Sequence, residues 1–163
     1  MDSMDLTNNF SVGDMVVYPA QGIGYIEKIE KRNEKDYLKI HIDSSAMDVL
    51  LPLEKVKNFG LRHLASKIDT EKALEGLSKR LKLVDKDWKV RLQENQELLK
   101  HGDLLSVANV VNSLYRRSKS RDLPTLERRL YESALTMLVD ETSSVLGISN
   151  EEMRKTIFKK LEA

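Results

Sequence analysis

The sequence predicts an α+β protein, in which a small N-terminal five-stranded β-barrel is followed by an all-α bundle of about five helices. Three observations carry this. Apolar residues recur with a period of two through roughly the first sixty residues, in short runs broken by glycine, proline and polar turn residues. After Gly60 the period changes to three and four, with Ser, Thr and Asp at the starts of runs and glycine at their ends. So many short strands in so little chain favour a strongly bent barrel over a flat sheet.

Each element has its own reason. Residues 14–18 form a β-branched run after Val12-Gly13, stopped by Pro19. Gly22-Ile-Gly-Tyr-Ile-Glu-Lys-Ile resumes with two glycines, where the backbone bends or passes close to a neighbour. Residues 37–43 alternate, with Leu38, Ile40 and Ile42 on one face and Lys39, His41 and Asp43 on the other. Met47, Val49 and Leu51 form another alternating set, and residues 53–56 supply a last short strand. The polar stretches Asn33-Glu-Lys-Asp and Asp43-Ser-Ser connect hairpins.

In the second half, Leu74, Leu77 and Leu81 predict a helix over 70–81 with Thr70 as its N-cap. A second helix starts near Asp85 or Asp87, runs to Lys100 and stops at His101-Gly102. Asp103 caps a third, striped by Leu104, Val107, Ala108, Val111, Leu114 and Tyr115, and residues 118–122 read as a charged loop. The fourth begins at Leu123-Pro-Thr-Leu-Glu, shows Leu126, Leu130, Ala134, Met137, Leu138 and Val145, and ends at Gly147. Ser149, with Glu152 at the capping-box position, opens a fifth whose apolar side holds Ile157, Phe158 and Leu161. Two domains are expected, 1–63 and 64–163, with the boundary in the stretch 61–68.

Composition narrows function. The 163 residues contain no cysteine, which excludes disulfides, Cys-ligated metal and thiol chemistry. Neither a signal-peptide pattern nor an apolar run of membrane-spanning length is seen, so a cytoplasmic protein without a membrane partner is expected. The three histidines, His41, His63 and His101, lie far apart, and no nucleotide-binding or hydrolase motif occurs. Neither an enzyme nor a cofactor or metal site is expected. Net charge is +1, but residues 64–121 carry 13 basic against 8 acidic side chains, a mild pointer to a polyanion.

Two motifs bear on binding. Phe10-Ser-Val-Gly-Asp-Met-Val-Val-Tyr-Pro-Ala-Gln-Gly-Ile-Gly has the Gly-Asp, strand and glycine turn common in SH3-like barrels, although barrel closure alone also accounts for the glycines. The single tryptophan, Trp88, stands at the start of the second helix among Lys86, Lys89 and Arg91. Leu92 and Leu99 share its helical face, and burial in a core is the commoner fate of such a ring. The other reading is an exposed wedge, with cations and a helix terminus holding phosphates while the ring enters an opened base step.

Taken in order, the motifs resemble the CarD/CdnL transcription regulators of bacteria over nearly the whole chain. The match runs through Phe10-x-Val-Gly-Asp-x-Val-Val-Tyr-Pro-x-x-Gly-x-Gly and Pro52-x-x-Lys-Val-x-x-x-Gly-Leu-Arg. It continues with Asp87-Trp88, Glu94-Asn95, Leu99-x-x-Gly-Asp, Val107-Ala-x-Val-Val, Leu114-Tyr-Arg-Arg, Leu123, Glu127-Arg-Arg-Leu and Ala134. The resemblance implies a Tudor/SH3-like domain that docks on the RNA polymerase β subunit. It also implies a helical domain that reaches promoter DNA at the upstream edge of the transcription bubble. A similar first domain occurs in the transcription-repair coupling factor, whose ATPase motors this chain lacks.

By the same resemblance Trp88 is the wedge, Arg91 a basic position just after it, and Arg128 a basic position that approaches DNA. Lys89 is expected to take up phosphate contact because Val90 stands where relatives often carry arginine. Arg32, Val49 and Leu50 are expected to face polymerase, with Leu50 replacing an arginine of some relatives. The contacts to DNA are expected to be largely independent of base sequence, and the protein a monomer, nucleoid-associated through polymerase. Two other readings stay open: a protein–protein adaptor with Trp88 in its core, and a ribosome- or RNA-associated barrel, disfavoured because the helical half offers no aromatic stacking platform.

Overall fold

A computed structural model of the chain describes residues 9–19 and 21–163. Residues 1–8, which hold nearly all of the N-terminal segment read above for a signal peptide, lie outside the described residues, as does Ala20. The chain divides after Leu64 into two compact units.

The first unit is an antiparallel sheet of β1 (Met15–Tyr18), β2 (Gly22–Arg32), β3 (Lys35–Ile42), β4 (Met47–Pro52) and β5 (Arg62–His63), in the order β4-β3-β2-β1-β5. Alternation places Leu38, Ile40 and Ile42 in the core with Phe10, Val16, Ile26, Leu51, Val56 and Leu61. Met47, at the start of β4, does not join them and is exposed. Gly24 pairs with Ile42 across β2 and β3, and a Cβ there would stand 2.1 Å from the His41 carbonyl oxygen. Only glycine permits that approach.

The α+β class with five strands and five helices stands, but two strand expectations are corrected. Residues 53–56 are not a strand. Leu53–Lys55 forms a 3-10 turn that buries Val56, and the fifth strand is Arg62–His63, paired with β1. The sheet is not closed, because β4 and β5 form its two edges and do not pair. A two-residue β5 is too short to complete a barrel.

The second unit contains α1 (Lys67–Gly76), α2 (Trp88–His101), α3 (Leu104–Ser120), α4 (Thr125–Leu146) and α5 (Asn150–Glu162). Caps set most of their ends. Asp103 accepts from the Ser106 amide at 3.0 Å and Ser149 from the Glu152 amide at 3.2 Å. Gly147 closes α4 in the left-handed region at φ 68°. The α3 stripe is wholly buried, against Leu74, Leu77, Leu99, Ala134, Leu138, Met153, Ile157 and Leu161 among others.

The helical expectations shift in three places. α1 starts earlier, capped by Ser66, while Thr70 is buried and donates to the Ser66 carbonyl at 2.8 Å. It also ends earlier, at Gly76, so Leu81 lies in the irregular stretch 77–87. Residues 118–120, expected in a loop, belong to α3. On α4 the buried face turns toward Leu135, Val139 and Thr142, leaving Leu126 half exposed and Val145 half-buried. Among the described residues, no helix is long and apolar enough to cross a membrane.

Candidate nucleic-acid interface

Trp88 is the first residue of α2, half-buried, and stands apart from the buried core of its unit. The core-tryptophan reading is not what the structure shows, since Trp88 is neither buried nor packed against that core. Trp88 lines a cleft of about 530 Å³ together with the cations Lys86, Arg91, Arg117 and Arg121 and the carboxylates Asp85, Asp87 and Asp122. The starts of α2 and α4 both open on this cleft. Asp87 and Pro124, their N-cap residues, make no side-chain capping bond. Helix starts with unclaimed N–H groups favour negative charge.

The cations around the indole divide into free and engaged. Lys89 is exposed, lies 5.9 Å from the Trp88 ring centre and makes no ion pair among the described residues. That distance is within the reach of a cation–π contact. Arg128, in the first turn of α4, is exposed and makes only a long 3.4 Å bond to the Leu123 carbonyl. Lys86 is paired with Glu94 at 2.8 Å.

All three guanidinium nitrogens of Arg91 are engaged. Its Nε donates to Glu127 Oε2 at 2.7 Å, its Nη2 to Oε1 of the same carboxylate, and its Nη1 to the Lys86 carbonyl at 3.1 Å. The Glu127 side chain is fully buried and the Arg91 side chain only 15% exposed. Arg91, expected to touch phosphate, stands about one helical turn after Trp88 and lines the same cleft, with its hydrogen bonds made to Glu127 and the Lys86 carbonyl. Arg117 donates to the Val84 carbonyl at 3.0 Å, and its Nε is buried without a partner. Burial, then the neighbouring Arg91, pulls the Arg117 guanidinium below its ordinary pKa, with Glu127 and Asp85 acting in the opposite sense.

Sequence reasoning missed Glu127 and Arg117 as parts of this site. Glu127 stands in a quoted motif, but the sequence assigns it no partner. Its role depends on a partner 36 residues earlier in the chain. No local signal marks such a pair.

In the first unit, Arg32 ends β2 and pairs with Glu30 at 2.8 Å. Val49 and Leu50 lie on the edge strand β4, Val49 packed partly against the core and Leu50 facing outward at 37% exposure. Arg32 sits opposite Lys35 and Leu50 opposite Lys39, so the three residues do not form one cluster. The face opposite Leu38, Ile40 and Ile42 also carries a polar network. In it His41 Nδ1 bonds Asp48 at 2.8 Å, Lys39 bridges Asp48 and Glu27, and Tyr25 lies against His41. Below the sheet, Phe10 stacks on His63, which bonds Asp14 at 3.1 Å.

Among the described residues, no three His, Asp or Glu side chains are arranged to hold a metal ion. Comparison with known proteins agrees with the division into two units. Residues 10–65 match the family described as CarD-like/TRCF RID domain, and residues 72–158 match CarD, C-terminal domain. A Bacillus subtilis (strain 168) protein named "Putative transcription factor YdeB" is 28% identical over 153 residues, covering 89% of this chain and 97% of that protein. With more than half of its length matched by the C-terminal model alone, this chain belongs to the CarD family.

Proposed function

We propose that this protein regulates transcription without catalysing a reaction, by binding the RNA polymerase β subunit and stabilising the promoter open complex. The family supports transcription regulation, and the RID-type match supports contact with RNA polymerase. In this reading the first domain, 1–63, docks on polymerase through Arg32, Val49 and Leu50. An edge strand with an outward apolar side chain suits a protein partner, because its backbone donors and acceptors are still open. The second domain, 64–163, brings Trp88 to the upstream edge of the bubble, with Lys89 and Arg128 on phosphates and Arg91 holding the start of the helix that carries the ring.

The single observation that carries the reading is the half-buried indole at an uncapped helix start, outside the core. Unpairing and unstacking at the fork cost a few kcal/mol per step. A ring that stacks on an opened step gains about 1–3 kcal/mol there and nothing on closed duplex. About 1.4 kcal/mol of that difference shifts the closed–open equilibrium tenfold. Phosphate contacts carry no base information, so one surface serves many promoters. Attachment to polymerase raises the local concentration of the helical domain at DNA, which a near-neutral chain needs.

The test is Trp88→Ala at saturating protein, scored by open-complex lifetime alongside a polymerase pull-down. A lifetime shortened about tenfold with unchanged pull-down is expected. Unchanged lifetime with intact pull-down refutes the wedge.

A further inference from the structure

The eleven residues before Trp88, 77–87, have no regular secondary structure. An indole on a loose lead-in would sample many directions and act in few of them. The usual local device for fixing a helix start is absent, because Asp87 makes no capping bond to the first turn of α2. The same holds at Pro124, which opens α4. What fastens these two helix starts is a bond between them. Arg91, three residues into α2, grips Glu127, two residues into α4, with two parallel N–H donors. A planar fork fixes both the distance and the rotation of its partner, which a lysine cannot do.

The rest of the lead-in is tied from the same side. Arg91 Nη1 reaches back to the Lys86 carbonyl, two residues before Trp88. Arg117 holds the Val84 carbonyl at 3.0 Å. Farther back, Asn112 donates to the carbonyls of Gly76 and Lys79 at 3.1 and 3.0 Å, and Arg116 to that of Leu77 at 3.1 Å. Of these bonds, the Arg91–Glu127 pair alone joins the start of α2 to that of α4, and its carboxylate is fully buried. A buried ion pair is a poor device for stability, since apolar side chains of similar volume often serve as well. It is a good device for fixing geometry.

We propose that Glu127 and Arg91 are positioning residues for Trp88, whose bidentate pair locks the two helix starts and sets the direction in which the indole projects. This rests on Trp88 being the residue that acts on DNA. Neither side chain needs to touch DNA for the effect.

Because Trp88 is the sole tryptophan, its fluorescence reports this locus alone. Two variants of the full-length protein test the proposal: Arg91→Lys, which keeps the charge and loses the fork, and the double variant Arg91→Met/Glu127→Leu, which removes the ions and keeps the packing. Thermal melting verifies folding. Trp88 anisotropy and acrylamide quenching read its freedom, and open-complex lifetime reads its effect. In both variants anisotropy falls, quenching rises and the gain in lifetime drops about tenfold, while polymerase pull-down is unchanged and the double variant melts near the parent. A folded double variant with parental quenching, anisotropy and lifetime overturns the proposal. Trp88→Ala is run in parallel. If it leaves lifetime unchanged, the wedge reading falls, and the quenching and anisotropy data then decide by themselves whether the pair positions the ring.

Discussion

Arg91 and Glu127 are buried unequally, and that inequality predicts an order of stabilities. The carboxylate has no exposure, whereas the guanidinium is 15% exposed and keeps the Lys86 carbonyl as a second acceptor. Arg91→Met strands a carboxylate that cannot reach water, at the cost of a broken buried pair, about 4 kcal/mol. Glu127→Leu strands a cation that retains one acceptor and can turn toward solvent, and should cost about 1–2 kcal/mol less. The double variant leaves no stranded charge and should lie within about 1 kcal/mol of the parent. Unfolding by urea, followed through Trp88 fluorescence, gives all four free energies and, from these costs, a coupling energy of about 5–7 kcal/mol. Additive costs in the double variant, or a larger loss from Glu127→Leu than from Arg91→Met, would refute the desolvation argument.

Two further predictions concern the sheet. Asn33 and Glu34 form the two-residue turn between β2 and β3, both with positive φ, 51° and 65°. Asparagine tolerates that region and glutamate does not, so Glu34→Gly should stabilise the first unit by about 1 kcal/mol, read as a raised melting temperature. Asp14 is held below its ordinary value of 3.8, first by the Ser11 amide and then by His63. A depressed carboxyl pKa contributes stability above 3.8 that is lost as pH falls through the folded value. Asp14→Asn should therefore be less stable than the parent at neutral pH and converge with it in acid. A constant gap across that acid range would contradict the assignment.

Period and punctuation made most of the architecture readable. Leu38, Ile40 and Ile42 needed only alternation, and the α3 stripe only the spacing of three and four. What escaped was set by contacts remote in sequence. α1 ends at Gly76 because Asn112 and Arg116 claim the carbonyls that another helical turn would use. The 3-10 turn at Leu53–Lys55 buries Val56 in a single step, where a strand would have needed alternation. At the site, Trp88 is legible as a question with Lys89 beside it, and Arg128 only through the family resemblance. The inward commitment of Arg91 was not, because a helix face shows which side a residue is on but not which carboxylate waits opposite.

An unclosed sheet also has a bearing on how the protein keeps to itself. With no strand beyond β4 among the described residues, the outer rim of Met47–Pro52 is a template on which a second copy could lay its own strand. Two features of the strand work against such pairing. Pro52 ends it without an N–H to offer, and Asp48 puts a charged side chain on the edge. The rim is thereby left open to a chain of different composition and guarded against its own.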